Sequence, residues 1–201
     1  MDFTLIKQNL EKMGYSVSCF ETREDAKQYL LSRISGKTVG IGGTVTVKEL
    51  DILPELSQSN KVIWHWFPEN GNTPAEALSE ARDAEIYISS VNGIAETGEI
   101  VNIDGTCNRI SATLYGHKKV YFIIGENKIE PTLEKAVWRA RNIASPLNAR
   151  RLGKKTPCAS GELKCHDCNS PERICRSLNI MLKKPGGCDY EIVLVNQKLG
   201  Y

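Results

Sequence analysis

From Tyr15 to Val91, short apolar runs of strand length alternate with stretches whose apolar residues recur at helical spacing. Tyr15 to Phe20 alternates Val17 with small polar residues, and Thr22 then caps a helix with Ala26, Tyr29, Leu30 and Ile34 on one face. Thr38, Val39 and Ile41 form the next strand and Val62 to Phe67 the one after it. Thr73-Pro74-Ala75-Glu76 is a capping box opening a helix with Ala77, Leu78 and Ala81 inward, and Ala84 to Val91 is again extended. Strands joined through helices pair in parallel, so the rhythm predicts an α/β fold with a mostly parallel sheet flanked by helices. Ligands on such sheets gather beyond the C-terminal ends of the strands.

One of those ends carries K-T-V-G-I-G-G-T-V-T-V-K-E-L-D, Lys37 to Asp51. Gly40, Gly42 and Gly43 free the backbone, and Thr46 with Glu49 has the spacing of a capping box. Backbone N–H groups bared here suit a phosphate or carboxylate; the other reading is a turn that only lets helix and strand pack closely. A dinucleotide fingerprint would need glycine where Val45 stands, and no acidic residue closes the strand from Val62 to Phe67. No Gly-Lys-Ser/Thr follows at P-loop spacing, so neither NAD nor a Walker-type nucleotide is expected. Pro54 makes the following helix short, or restarts it. His65, between Trp64 and Trp66, reads more simply as a structural histidine than as a catalyst.

A second stretch, Asn92 to Arg109, has the turns Asn92-Gly93, Thr97-Gly98 and Asp104-Gly105 around Glu96 and an extended Ile100–Ile103. Asn108 is placed to cap the helix through Leu114. Arg109 in that first turn opposes the helix dipole, so it reads either as a partner for a bound anion or as a surface residue. Lys119 to Gly125 is a nearly continuous apolar run and hence a central strand. Leu133, Ala136, Val137, Ala140 and Ile143 make one helical face, which Ser145-Pro146 is expected to stop.

Residues 1–150 thus read as an α/β domain. Residues 151–201 add a basic linker (with Arg150, Arg151, Lys154 and Lys155), a four-cysteine segment and a last strand, D-Y-E-I-V-L-V, that completes the same domain. In T-P-C-A-S-G-E-L-K-C-H-D-C-N-S-P-E-R-I-C, Cys158, Cys165, Cys168 and Cys175 have the pattern of four thiolates converging on one metal. Ser170-Pro171 would open a helix carrying Cys175 inward. Zinc and an iron–sulfur cluster both accept four cysteines, and unpaired thiols or a redox dithiol are the readings without a metal.

The chain has 26 basic and 24 acidic residues, a net charge of +2, which gives no basic field demanding nucleic acid or an anionic membrane. No apolar run has the length of a membrane span, no signal core follows the N-terminus, and seven cysteines, an odd number, fit a reduced compartment. A cytoplasmic protein is expected. Three histidines leave little material for histidine-based catalysis.

The pair G-I-G-G-T-V-T-V-K-E-L-D and E-T-G-E-I-V-N-I-D-G-T-x-N-R, followed by T-P-C and C-x-D-C-x-S-P-x-R-I-C, resembles the LUD-domain family, proteins associated with lactate utilisation. Cys107 departs from it, standing where similar sequences carry glycine. The resemblance implies a fold similar to the glucosamine-phosphate deaminase, ribose-phosphate isomerase and CoA-transferase group. In that group a loop like Gly40 to Thr44 binds an anionic substrate, and the CoA transferases use a glutamate in a turn like Glu96-Thr97-Gly98. Gly40, Gly42, Gly43, Thr44, Thr46, Asn92, Thr97, Gly98, Asn102, Asp104, Asn108 and Arg109 are then the candidate ligand-binding residues, with Glu96 the candidate base or nucleophile. Two functions compete: a transformation of a small anionic or phosphorylated metabolite, and a non-catalytic accessory role among the subunits of an organic-acid oxidation system, with a structural metal.

Overall fold

The apolar run Lys119–Gly125 (β7) lies inside a six-stranded, wholly parallel sheet of order β1 (Ser16–Phe20), β10 (Asp189–Val195), β7, β4 (Ile86–Ser89), β2 (Thr38–Ile41), β3 (Lys61–Trp64). The computed structural model describes residues 1–69 and 71–201. Alternation along β7 divides the core between the two faces of the sheet. Val120, Phe122 and Ile124 pack with Phe3, Ile6 and Leu10 of the N-terminal helix α1 (Thr4–Lys12) and its approach. Tyr121 and Ile123 pack with Leu30, Val47 and Leu56 from helices α2 (Arg23–Arg33), α3 (Val45–Leu50) and α4 (Leu53–Ser59). Helix α5 (Pro74–Ala81), opened by the expected capping box, covers Ile63 with Ala77 and Ala81.

A second sheet, of order β8 (Ile129–Glu130), β5 (Gly93–Ala95), β6 (Ile100–Asp104), β9 (Ser177–Met181), stacks over the first face. Ile94, Ile100 and Met181 join the core beneath it, while Ala95 and Val101 turn to Ala136 and Ala140 of the covering helix. That helix comes close: a Cβ on Gly93 would lie 2.7 Å from the Ala136 carbonyl oxygen. Gly93→Ala is therefore expected to destabilise the protein by about 1–3 kcal/mol, the range for overpacking a tight contact, read as a lower denaturation midpoint with unchanged slope.

Several local expectations change. Helix α3 starts at Val45 after Thr44, whose side chain makes no cap bond; Thr46 and Glu49 form no capping box, because both side chains engage the C-terminal tail. The helix does stop at Asp51, in the left-handed region at φ 52°, and restarts with Pro54 in its first turn. The strand expected to reach Phe67 ends at Trp64, so His65 and Trp66 leave the sheet in a turn. Ser145-Pro146 does not stop its helix. The chain passes from α7 (Leu133–Arg139) through a π-helical segment, Ala140–Ala144, into α8 (Ser145–Arg151). The wider turn accommodates the missing proline N–H and its ring. Arg150 and Arg151 thus belong to a helix, not a linker. No helix opens at Ser170-Pro171: beyond α9 (Pro157–Ser160), residues 161–176 form neither helix nor strand. Among the described residues no helix is long and apolar enough to cross a membrane.

Candidate anion site

From β2 the chain crosses to β3 on one side, and β4 lies on the other, so the loops after β2 and β4 diverge and leave a crevice. A cavity of about 290 Å³ opens there. The β2 loop supplies Gly43, Thr44 and Thr46, the β3 turn His65 and Trp66, and the β4 loop Ser90 to Asn92. Lys128 enters from the 3-10 turn after β7, and Tyr201 from the tail after β10. The remaining wall comes from Asp104 to Thr106, Asn108 and Arg109, helix α8 through Asn148 and Arg151, and Ile174.

Lys128 is buried, its ammonium donating to Thr46 Oγ1 at 2.7 Å, Ser90 Oγ at 3.0 Å and the Val91 carbonyl at 3.1 Å. No carboxylate forms a salt bridge with it among the described residues. Burial holds its pKa well below the ordinary lysine value, and repulsion from Arg139 and Arg109 lowers it further against a weaker pull from Glu49. Arg109 reaches inward from α6 (Asn108–Leu114) and donates to the Ser90 and Ile103 carbonyls at 3.2 and 2.7 Å, to Asn92 Oδ1 at 3.0 Å and to Asn102 Oδ1. Its pKa too is lowered by burial. Arg151 stacks on Trp66, 4.7 Å from the ring centroid, and donates to the Tyr201 hydroxyl at 2.7 Å. Against these cations the lining holds one carboxylate, Asp104, whose oxygens accept the N–H groups of Gly105 at 2.8 Å and Ile110 at 3.2 Å. Burial lowers the pKa of His65, whose Nδ1 has no partner among the described residues.

Of the expected ligand-binding residues, the structure brings Gly43, Thr44, Thr46, Asn92, Asp104, Asn108 and Arg109 to this cavity. Asn102 lies directly behind it as an acceptor for Arg109. Gly40 and Gly42 do not line it. A Cβ on Gly40 would meet the Ala81 carbonyl oxygen at 2.8 Å, and one on Gly42 the Ser89 and Tyr87 hydroxyl oxygens at 3.1 Å, so these two serve close packing. Nor does the Glu96 turn reach the cavity: Glu96 N–H donates to the Glu130 carbonyl, its carbonyl accepts the Asn9 amide, Thr97 is exposed and Gly98 packs on Met13. Asn108 is the first residue of α6 rather than its cap. The cap position is Cys107, at φ 62°, a left-handed conformation that favours glycine; its thiol is not in the cavity lining. Lys128, Arg151 and Tyr201 were not foreseen. The one available signal was that Glu126-Asn127-Lys128 directly follows the apolar central strand, where a parallel sheet places ligands.

Cys158, Cys165, Cys168 and Cys175 line one small space of about 20 Å³ between α8 and the segment that carries them, and all are free thiols. Among the described residues, however, no three His, Cys, Asp or Glu side chains are disposed to hold a metal ion as they stand. The thiols share a space without converging to ligand distance.

A family model described as LUD domain matches residues 4–195. Among solved structures, a DUF162 family protein from Deinococcus radiodurans aligns with a TM-score of 0.54 at 12% identity, over 97% of this chain and 99% of that one. Its likeness is one of fold. The eIF2B beta protein from Chaetomium thermophilum aligns over 66% of this chain and 44% of its own at 13% identity, with a TM-score of 0.34, too slight to carry an argument. Comparison with curated proteins gives no match.

Proposed function

Because the chain belongs to the LUD domain family, which is linked to lactate utilisation, we propose that its cavity binds a small organic acid or phosphorylated metabolite. The observation that carries this is the charge of the lining: Lys128, Arg109 and Arg151 line one cavity in which Asp104 is the only carboxylate among the described residues. The buried Lys128 charge without a paired carboxylate is costly, and a bound anion reduces that cost. The volume of about 290 Å³ suits a ligand of metabolite size. The polar donors at hand, among them Asn92, Asn148 and the Tyr201 hydroxyl, suit carboxylate or phosphate oxygens.

The same anion serves equally as substrate or as effector of an accessory subunit. The family generally works in multi-subunit lactate utilisation systems. The accessory role is favoured by the placement of Glu96 outside the cavity and by the engagement of both Asp104 oxygens with backbone N–H groups. For a reaction, His65 is the neutral lining group with an unengaged ring nitrogen.

Thermal-shift and calorimetric titration with small organic acids, phosphosugars, folates and CoA esters tests the site. At least one anion should raise the melting temperature, and Gly43→Val should abolish the shift. A Cβ at Gly43 would sit 3.3 Å from the His65 ring, and the valine methyls beyond it would occupy the cavity mouth. Glu96→Gln should bind as wild type does. Undiminished affinity in Gly43→Val would place the ligand elsewhere.

A further inference from the structure

We propose that Cys158, Cys165, Cys168 and Cys175 close around one thiophilic metal centre, and that this centre holds the Ile174 wall of the anion cavity in place. Residues 161–176 have no helix, no strand and no buried residue. A stretch with so little packing needs a staple. All four thiols border the same space. At Cys165-His166-Asp167-Cys168 the chain turns through a left-handed Asp167 at φ 44°, and the Asp167 N–H points at Cys165 Sγ from 3.4 Å. Arg141 Nη2 lies 3.7 Å from the same sulfur, and Thr156 Oγ1 lies 3.3 Å from Cys158 Sγ. The two N–H groups at Cys165 are placed to hydrogen-bond a metal-bound sulfur.

Arg173 closes the far side. It donates to the Cys168 carbonyl at 2.7 Å and the Cys175 carbonyl at 2.9 Å, which draws the last two cysteines together. Ligation by four thiols releases their protons and leaves a zinc site with two net negative charges. Arg141 and Arg173 border the same space and offset that charge. For Cys165, Cys168 and Cys175 convergence asks for movement of loop backbone that carries no buried residue, and for Cys158, held in α9 between buried Thr156 and Ala159, for a change of rotamer.

The wall follows from chain continuity. Ile174 sits between Arg173 and Cys175 and borders both the thiol space and the anion cavity, as does Ser145. Its carbonyl oxygen would lie 2.8 Å from a Cβ on Gly105, and the next N–H but one, that of Arg176, donates to the Asp104 carbonyl at 2.9 Å. Fixing Cys175 therefore fixes Ile174 against the Asp104–Gly105 turn. The coupling rests on the anion site proposed above; the metal centre does not.

Full-length protein purified without air or chelator should contain about one metal centre per chain by elemental and sulfide analysis. Zinc alone, or iron with sulfide, each supports the centre and identifies it. Cobalt(II) added to metal-stripped protein should give tetrahedral d–d absorption and thiolate charge-transfer bands, both lost in Cys168→Ser. Stripping should also speed limited proteolysis within residues 161–176 and weaken binding of the anion found by thermal shift at least 10-fold, with reversal on reloading. Metal-free protein without the cobalt spectrum overturns the centre. A loaded centre whose removal changes neither proteolysis nor anion affinity overturns its role as the wall. If no anion binds, the proteolysis readout alone decides that role.

Discussion

Arg109→Met is expected to lower the stability of the fold by about 3–5 kcal/mol, the range for removing one member of a buried charged network. The side chain is half-buried in the cavity wall, and its guanidinium supplies donors to four acceptors: the Ser90 and Ile103 carbonyls and the side-chain oxygens of Asn92 and Asn102. These come from the β4 loop and from strand β6, so one planar group ties the main sheet to the second sheet. Methionine fills the volume but leaves the acceptors unpaired, and each buried orphan costs about 1–3 kcal/mol. For a chain of this size the melting temperature should fall by roughly 10 °C. Arg109→Lys should fall between the two, because a single ammonium cannot reproduce the fork. Urea denaturation with all three proteins measures this; a loss under about 1 kcal/mol in Arg109→Met would mean that solvent satisfies the acceptors and the network is not dry.

Lys128→Met should do the opposite: bind the anion roughly 10- to 150-fold more weakly, the worth of one charge-assisted hydrogen bond, while staying within about 1 kcal/mol of wild-type stability. Its three oxygen partners, on Thr46, Ser90 and Val91, are buried and lose a donor, but the same change removes a buried charge that has no salt bridge among the described residues, and the saved desolvation offsets that loss. The pH dependence carries a definite sign. Burial and the neighbouring arginines depress the folded-state pKa of Lys128 below its unfolded value, so between those two values the unfolded chain binds the extra proton. In that window stability rises with pH. A bound anion favours the ammonium and raises the pKa, so binding takes up a proton, and affinity falls as pH rises through the free-site pKa. Calorimetry in buffers of different ionisation enthalpy counts that proton, and Lys128→Met should abolish it. Equal proton uptake in wild type and variant would assign the linkage to another group.

The two variants separate two uses of buried charge in one cavity. Arg109 ties two sheets together and maintains the architecture, whereas Lys128, whose three N–H groups go to Thr46, Ser90 and Val91, would serve an anion by its charge and by exchanging one of those acceptors for it. Perturbed ionisation in a cleft marks a functional candidate only where geometry agrees. Here the agreement comes from the switch between β2 and β4, which brings both cations to the strand ends.

The sequence by itself determined the elements and their class. Helical and extended periodicity, the Thr22 and Thr73 caps and the apolar run Lys119–Gly125 are local signals, and each became the expected strand or helix. The glycine loop and the Asn92–Arg109 stretch were legible as a site because small polar residues followed predicted strands, and Gly43, Asn92 and Arg109 do meet in one cavity. Only the tertiary structure decided which other residues join them. Lys128, Arg151 and Tyr201 stand in segments with no distinctive local pattern; Lys128 and Tyr201 converge because β7 and β10 lie side by side next to β4, and Arg151 joins them from the end of α8. Glu96 had the right turn around it, yet that turn packs on α1 and its end, with the Glu96 carbonyl accepting the Asn9 amide, since β5 belongs to the second sheet. Thr46 kept the spacing of a cap but was turned to a buried lysine and the tail, where its hydroxyl both donates and accepts. Local periodicity fixes which face of an element is apolar; strand order, which depends on contacts far apart in the chain, fixes what that element's end points toward.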